Sequence, residues 1–213
     1  MATAALPRLR ILLVGASGTL GRAVAAELSE RHEIVSAGRN SGDVRIDISN
    51  PSSIAAGLGG AGQLDAVVCC AGHVTFAPLS QINPATITES AYSLGLTDKL
   101  MGQVNLTLVA RDRLRDGGSI TLIGGILSEQ PIVAGTSASM VNGALESFVK
   151  AVAVELPRGI RINLVSPTVL TESMPQYAPF FRGFAPVPAA RAALGFARSV
   201  EGPETGQVYR IFG

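Results

Sequence analysis

The chain has no extended run of either charge sign: 17 Lys and Arg stand against 16 Asp and Glu in 213 residues, a formal net charge of +1. Nucleic acid and anionic membrane surfaces therefore find no electrostatic handle on it. No apolar run approaches the roughly 18 residues that cross a bilayer. The opening stretch MATAALPRLR carries its two arginines after a short apolar part, which is not the layout of a secretory signal. Cysteine is scarce, and Cys69 and Cys70 are adjacent. Neighbours on a strand point to opposite faces, so a disulfide between them is disfavoured. No His/Cys cluster has the spacing of a metal site. Both cysteines read as small buried thiols of a cytoplasmic protein.

What is abundant is apolar. Hydrophobic residues make up 47% of the chain and charged ones 15%, a composition that folds. The runs RILLVG, EIVSAG, DVRIDI, LDAVVCCAG, GSITLIGG, GIRINLVSP and GQVYRIFG read as seven strands. Between them, LGRAVAAELSER, PSSIAAGL, residues 84–115, residues 134–156 and PAARAALGFARSV read as helices. Apolar strands separated by helices predict a parallel sheet covered on both faces, a doubly wound α/β fold of Rossmann type. The expectation is one dinucleotide-binding domain over residues 1–213. Its one irregular, Pro-rich stretch, residues 166–188, is read as a loop that covers a substrate.

The segment RILLVGASGTLGRAVAAEL is strand, glycine turn and helix. Gly15 permits a sharp turn, Gly18 lets backbone amides approach a pyrophosphate, and Gly21 lets helix and strand pack closely. With Ser17, Thr19 and Leu20 they form the expected cradle at a helix N-terminus. The second strand ends in SAGRNSGD, where an NAD site usually carries an acid. Here Arg39 and Asn40 occupy that point, and a guanidinium suits a 2′-phosphate. The cofactor expected is NADP(H); the plainer reading of Arg39 is a solvated surface arginine.

At this point the chain resembles the short-chain dehydrogenase/reductase family, over nearly its whole length. IDI, with Asp47 and Ile48, resembles the segment that contacts adenine. CCAG, with Cys70, Ala71 and Gly72, resembles the family's N-N-A-G. AVAVELPRGIRINLVSPTVLT resembles A-V-E-L-x-x-x-G-I-R-V-N-x-V-S-P-G-x-x-x-T, which implies that Pro167, Thr168, Val169 and Thr171 line the nicotinamide carboxamide. TGQVYRIFG resembles the last strand. The glycine loop departs from the common T-G-x-x-x-G-x-G.

Family catalysis uses an Asn, a Ser, a Tyr and a Lys, and the alignment changes all four. The tyrosine and lysine positions fall on Ala138 and Asn142, the serine position on Gly125, and the asparagine position on Lys99. Losing a positioned general acid removes about 10²- to 10⁴-fold in rate. Lys99 is the leading replacement donor, because burial disfavours its charged form; the plainer reading is that it neutralises cofactor phosphates or reaches out to water. Ser128, Ser137 and Ser139 are candidates to bind a carbonyl, or serve as helix-start and packing residues. His73, Tyr92 and Tyr177 are further proton carriers, whereas Tyr209 reads as core. Two functions follow: an NADP(H)-dependent oxidoreductase of a carbonyl or alcohol substrate, or a catalytically inactive NADP-binding sensor or partner-binding protein. The small-residue helix faces imply a homodimer or homotetramer, as in the family.

Overall fold

The computed structural model describes residues 7–213. The reading of the first ten residues therefore lies largely outside the described residues. Among the described residues seven strands form the sheet: β1 (Arg10–Val14), β2 (Glu33–Gly38), β3 (Val44–Arg45), β4 (Leu64–Cys69), β5 (Leu114–Ile123), β6 (Arg161–Pro167) and β7 (Val208–Ile211). All pairs are parallel, in the order β3-β2-β1-β4-β5-β6-β7. The helices are α1 (Thr19–Ser29), α2 (Pro51–Gly60), α3 (Met101–Arg111), α4 (Thr136–Val152), α5 (Met174–Tyr177) and α6 (Ala189–Glu201).

Strand alternation divides the interior in two. Ile11 and Leu13 of β1 pack with Val24 and Leu28 of α1 and Phe196 of α6. Leu12 and Val14 pack on the other face with Ile54 of α2, Leu106 of α3 and Leu145 of α4. A strand buried on both faces has no polar side, which is why these runs are continuously apolar. The same alternation separates the cysteines: Cys69 belongs to the α2–α3–α4 core and Cys70 packs on the α1–α6 side, and both are free thiols. Burial pushes the Cys69 thiol up to about 12.

Three expected elements differ from the structure. The long helix expected over 84–115 is reduced to a π-helical turn, Gly95–Leu100, running into α3, which stops at Arg111. Residues 84–94 include no buried residue, and Thr86, Ile87 and Thr88 are β-branched. Helix formation there gains neither tertiary burial nor propensity. The strand expected over 43–48 is two residues long, because the chain then turns at Asp47. Residues 166–188 are not irregular throughout: β6 ends at Pro167, a 3₁₀ turn (Thr171–Ser173) and α5 follow, and Leu170 bridges to Val187.

Candidate active site

The chain passes from β1 to β2 on one side and returns to β4 on the other, so a crevice opens above the C-terminal ends of β1 and β4. Nucleotides bind at such switch points in open α/β sheets. The Gly15 amide donates to Ala37 O at 2.8 Å, tying the first turn to β2. A Cβ on Gly21 would lie 2.0 Å from Gly15 O, so only glycine lets α1 start this close to the turn. Helix α1 starts with neither a capping side chain nor an acid in its first turn, leaving its first N–H groups available to an anion.

One cavity lies beside the C-terminal end of β2. It is lined by Gly15, Ser17, Arg39, Asn40, Asp47, Ile48 and Ala71, all seven expected from the sequence. Asp98 also lines it and was not foreseen, because nothing local to the residue pair Asp98–Lys99 says which way each faces. Asp98 is buried and accepts from the His73 amide at 2.6 Å, and its Oδ2 lies 3.0 Å from His73 Nδ1. Arg39 lies between two acids, 3.3 Å from Asp47 and 3.5 Å from Asp98. Asp47 is held below the usual carboxylate range, chiefly by the Ser49 hydroxyl.

A second cavity, of about 270 Å³, lies beyond it under residues 166–188. Leu20, Pro167, Thr168 and Val169 line it, as does Lys99. The Thr168 hydroxyl is buried without a partner among the described residues, as a group waiting for a ligand's carboxamide would be. Most of the remaining wall is apolar: Val74, Phe76, Ile126, Leu127, Ala138 and Phe181, with Tyr177 among them. Phe76 and Tyr177 stack obliquely, with ring centroids 5.8 Å apart. Among the described residues no Asp or Glu lines this cavity, and Lys99 is the one charged residue that does. Burial pushes the Lys99 amine down to about 8.

Several expected contributors stand elsewhere. Ser128 does not line the cavity: its hydroxyl lies within hydrogen-bond reach of the buried Glu146 carboxylate and of Gly125 O, and its one proton goes to the carboxylate, because a buried carboxylate needs donors. Thr171 lines neither cavity; its amide donates to Val187 O at 2.8 Å where the chain turns away. Cys70 is drawn into the α1–α6 core rather than the crevice. Gly18, Thr19 and Gly21 form the turn and the start of α1, and Gly72 presses on the Lys99 stem. The His73 side chain is 72% exposed. Tyr92 faces Thr136, and the Tyr209 hydroxyl donates to Glu204, away from the cavity. Ser137 and Ser139 carry buried hydroxyls without partners among the described residues. Residues 125, 138 and 142 all line the cavity beside Lys99, so the four positions that carry catalysis in the resembling family converge here with other residue types.

The architecture is that of a Rossmann-type dinucleotide fold with a second cavity at the far end of the crevice. Residues 10–209 match the family model described as Enoyl-(Acyl carrier protein) reductase, and the chain belongs to the short-chain dehydrogenase/reductase family. It is 27% identical over 187 residues to L-xylulose reductase of Bos taurus, covering 79% of this chain and 75% of that one. The solved structure of the protein lin1944 from Listeria innocua shares 48% identity at a TM-score of 0.91, covering 96% of this chain and all of the other. A small-chain dehydrogenase solved in complex with NADPH superposes at a TM-score of 0.84 with 23% identity, covering 97% of each chain. Among the described residues, no helix is long and apolar enough to cross a membrane, and no group of three His, Cys, Asp or Glu is placed to hold a metal.

Proposed function

We propose that this protein is an NADP(H)-dependent oxidoreductase that interconverts a small carbonyl compound and its alcohol, with Lys99 handling the proton. The observation that carries the reading is the Lys99 amine, lowered to about 8 in a cavity lined by no other charged group among the described residues, at the end of a dinucleotide crevice. A proton carrier works best with a pKa near the working pH. NADPH, once bound, supplies the hydride. Arg39 and Asn40 would hold its 2′-phosphate, the α1 N-terminus its pyrophosphate, and Thr168 its carboxamide. The NADPH complex of a fold neighbour supports the same cofactor.

In reduction, the carbonyl carbon gains the hydride and its oxygen takes a proton from the Lys99 ammonium, which is reprotonated from solvent. Apolar walls formed by Val74, Phe76, Leu127 and Phe181 offer nothing to pair with a row of sugar hydroxyls. The substrate favoured is therefore an apolar carbonyl compound, unlike the sugar named for the L-xylulose reductase relatives. Residues 166–188, which contribute Tyr177 and Phe181, act as its cover. Exposed Met101, Leu108 and Met140 on α3 and α4 support self-association into a dimer or tetramer.

NADPH binding by calorimetry, followed by turnover of a panel of apolar aldehydes and ketones, tests the reading. Turnover that falls at least 100-fold in Lys99→Met supports it; turnover indifferent to Lys99 overturns the assigned role. The absence of a tyrosine at residue 138 favours a second reading, an NADP-binding protein without turnover. Tight NADPH binding with no consumption on any carbonyl would establish that one.

A further inference from the structure

Lys99 is held by two neutral acceptors. Its Nζ donates to Asn142 Oδ1 at 2.8 Å and to Gly124 O at 3.1 Å. An ammonium has three N–H bonds, so one is left for the cavity that Lys99 lines. Asn142 is itself fixed: it is 3% exposed, and its Nδ2 donates to Gly125 O at 3.1 Å. A flip of the carboxamide would turn its NH₂ toward the ammonium and its oxygen toward a carbonyl, breaking both bonds. The orientation is therefore determined from both ends.

The surroundings are shaped around this clamp. A Cβ on Gly125 would lie 3.0 Å from Asn142 Nδ2, so a side chain there crowds the amide. On the opposite side, Gly72 has φ +133, and a Cβ would lie 2.7 Å from Lys99 Cγ. The lysine stem thus passes through a slot that only glycine leaves open. The partner's chemistry matters as much as its position. A carboxylate beside the ammonium would raise the amine pKa by about 1–3 units and hold the proton back. A carboxamide accepts the same hydrogen bond without the charge.

We propose that Asn142 is the positioning residue for proton transfer at Lys99: locked onto Gly125, its carboxamide aims the third N–H into the cavity and keeps that proton releasable. The inference rests on the reading of Lys99 as the proton carrier and extends it to a residue of α4 that has no transferable proton of its own. Function resides in the contact between α4 and the turn before α3, so the amine works from either side of it.

The chain has two lysines, Lys99 and the exposed Lys150, so protein labelled with ¹³C at lysine Cε gives two lysine signals, assigned with Lys150→Arg, of which that of Lys99 is followed. In wild type, Lys99 titrates near 8. Asn142→Asp raises the Lys99 midpoint by at least about one unit, Asn142→Leu lowers it, and the pH profile of carbonyl reduction moves by the same amount in each. Lys99→Asn combined with Asn142→Lys reduces carbonyls at least tenfold faster than Lys99→Asn alone. A Lys99 midpoint that ignores residue 142 in folded protein overturns the proposal, as does a pH profile that stays put while the midpoint moves. A midpoint that follows residue 142 without turnover of any carbonyl retains the clamp but overturns both the reductase reading and its part in proton transfer. Turnover with an unmoved midpoint does the reverse, retaining the reductase and removing the clamp.

Discussion

Arg39 and Asp98 meet across the cavity at the end of β2, guanidinium Nη2 3.5 Å from carboxylate Oδ1, with Asp47 closing the other side of the arginine. The cation that would receive a 2′-phosphate is thus already oriented by two acids, and an incoming phosphate competes with them. Arg39→Ala should raise the Kd for NADPH at least tenfold more than that for NADH, measured by calorimetry at fixed salt. Equal losses would remove Arg39 from phosphate recognition.

Asp98 carries a second expectation, with opposite signs for binding and stability. Asp98→Asn removes one negative charge beside the phosphate site, so NADPH should bind a few-fold tighter, most clearly at low salt. The same change weakens a charge-assisted bond from the His73 amide, which should lower stability by about 1–3 kcal/mol in urea unfolding. Weaker NADPH binding in this variant would mean that the Asp98 contact prepares Arg39 rather than opposing its ligand.

The pH dependence of the reaction follows from Lys99. With its amine at about 8, the ammonium is present below that pH and lost above it. Carbonyl reduction under saturating NADPH should be level at lower pH and fall as pH rises through about 8, while alcohol oxidation rises over the same interval. Stopped-flow rates of the hydride step, compared with steady-state kcat, would check this.

Linkage gives a companion stability test. The folded-state amine is depressed below its unfolded value of 10.5, so between about 8 and 10.5 the unfolded chain binds the extra proton and stability rises with pH. The Cys69 thiol, raised by burial, works against this above its unfolded value of 9.0, because there the unfolded chain releases a proton the folded one keeps. The clean measurement is therefore a difference. Relative to Lys99→Met, wild type should gain urea-unfolding stability from pH 8 toward 10.5 and show no relative change below pH 7.

Gly21 offers a purely steric prediction. Gly21→Ala places a Cβ 2.0 Å from Gly15 O, against backbone that has little room to move. Overpacking of this kind costs about 1–3 kcal/mol, and the displaced α1 N-terminus should also weaken both NADPH and NADH. A lowered Tm with unaltered cofactor binding would show that the turn adjusts without moving the cradle.

How much of this was legible in the chain depends on how local each piece of chemistry is. The turn from Gly15 to Gly21 could be read because its spacing and flanking elements are contiguous in sequence. Arg39 was legible as a cation at the end of β2, but Asp98, 59 residues away, was not legible as its partner. The helix expected from residue 84 failed because periodicity does not reveal whether anything packs against it. Ser128 stands only three residues past Gly125, yet its hydroxyl is claimed by Glu146 from α4, a contact that only the fold creates. Thr171 was placed at the nicotinamide by resemblance and then carried off by the Leu170–Val187 bridge. The altered residues at 99, 125, 138 and 142 were legible one at a time; that 99, 125 and 142 form a single clamp was not.

The meeting of Lys99 and Asn142 across two elements also bears on how such proteins are to be found. A signature that demands a tyrosine followed four residues later by a lysine inspects one helix and passes this chain over. The amine here comes from the neighbouring element, and what a search would need to score is a pair of side chains in space, whichever strand of text each is written on.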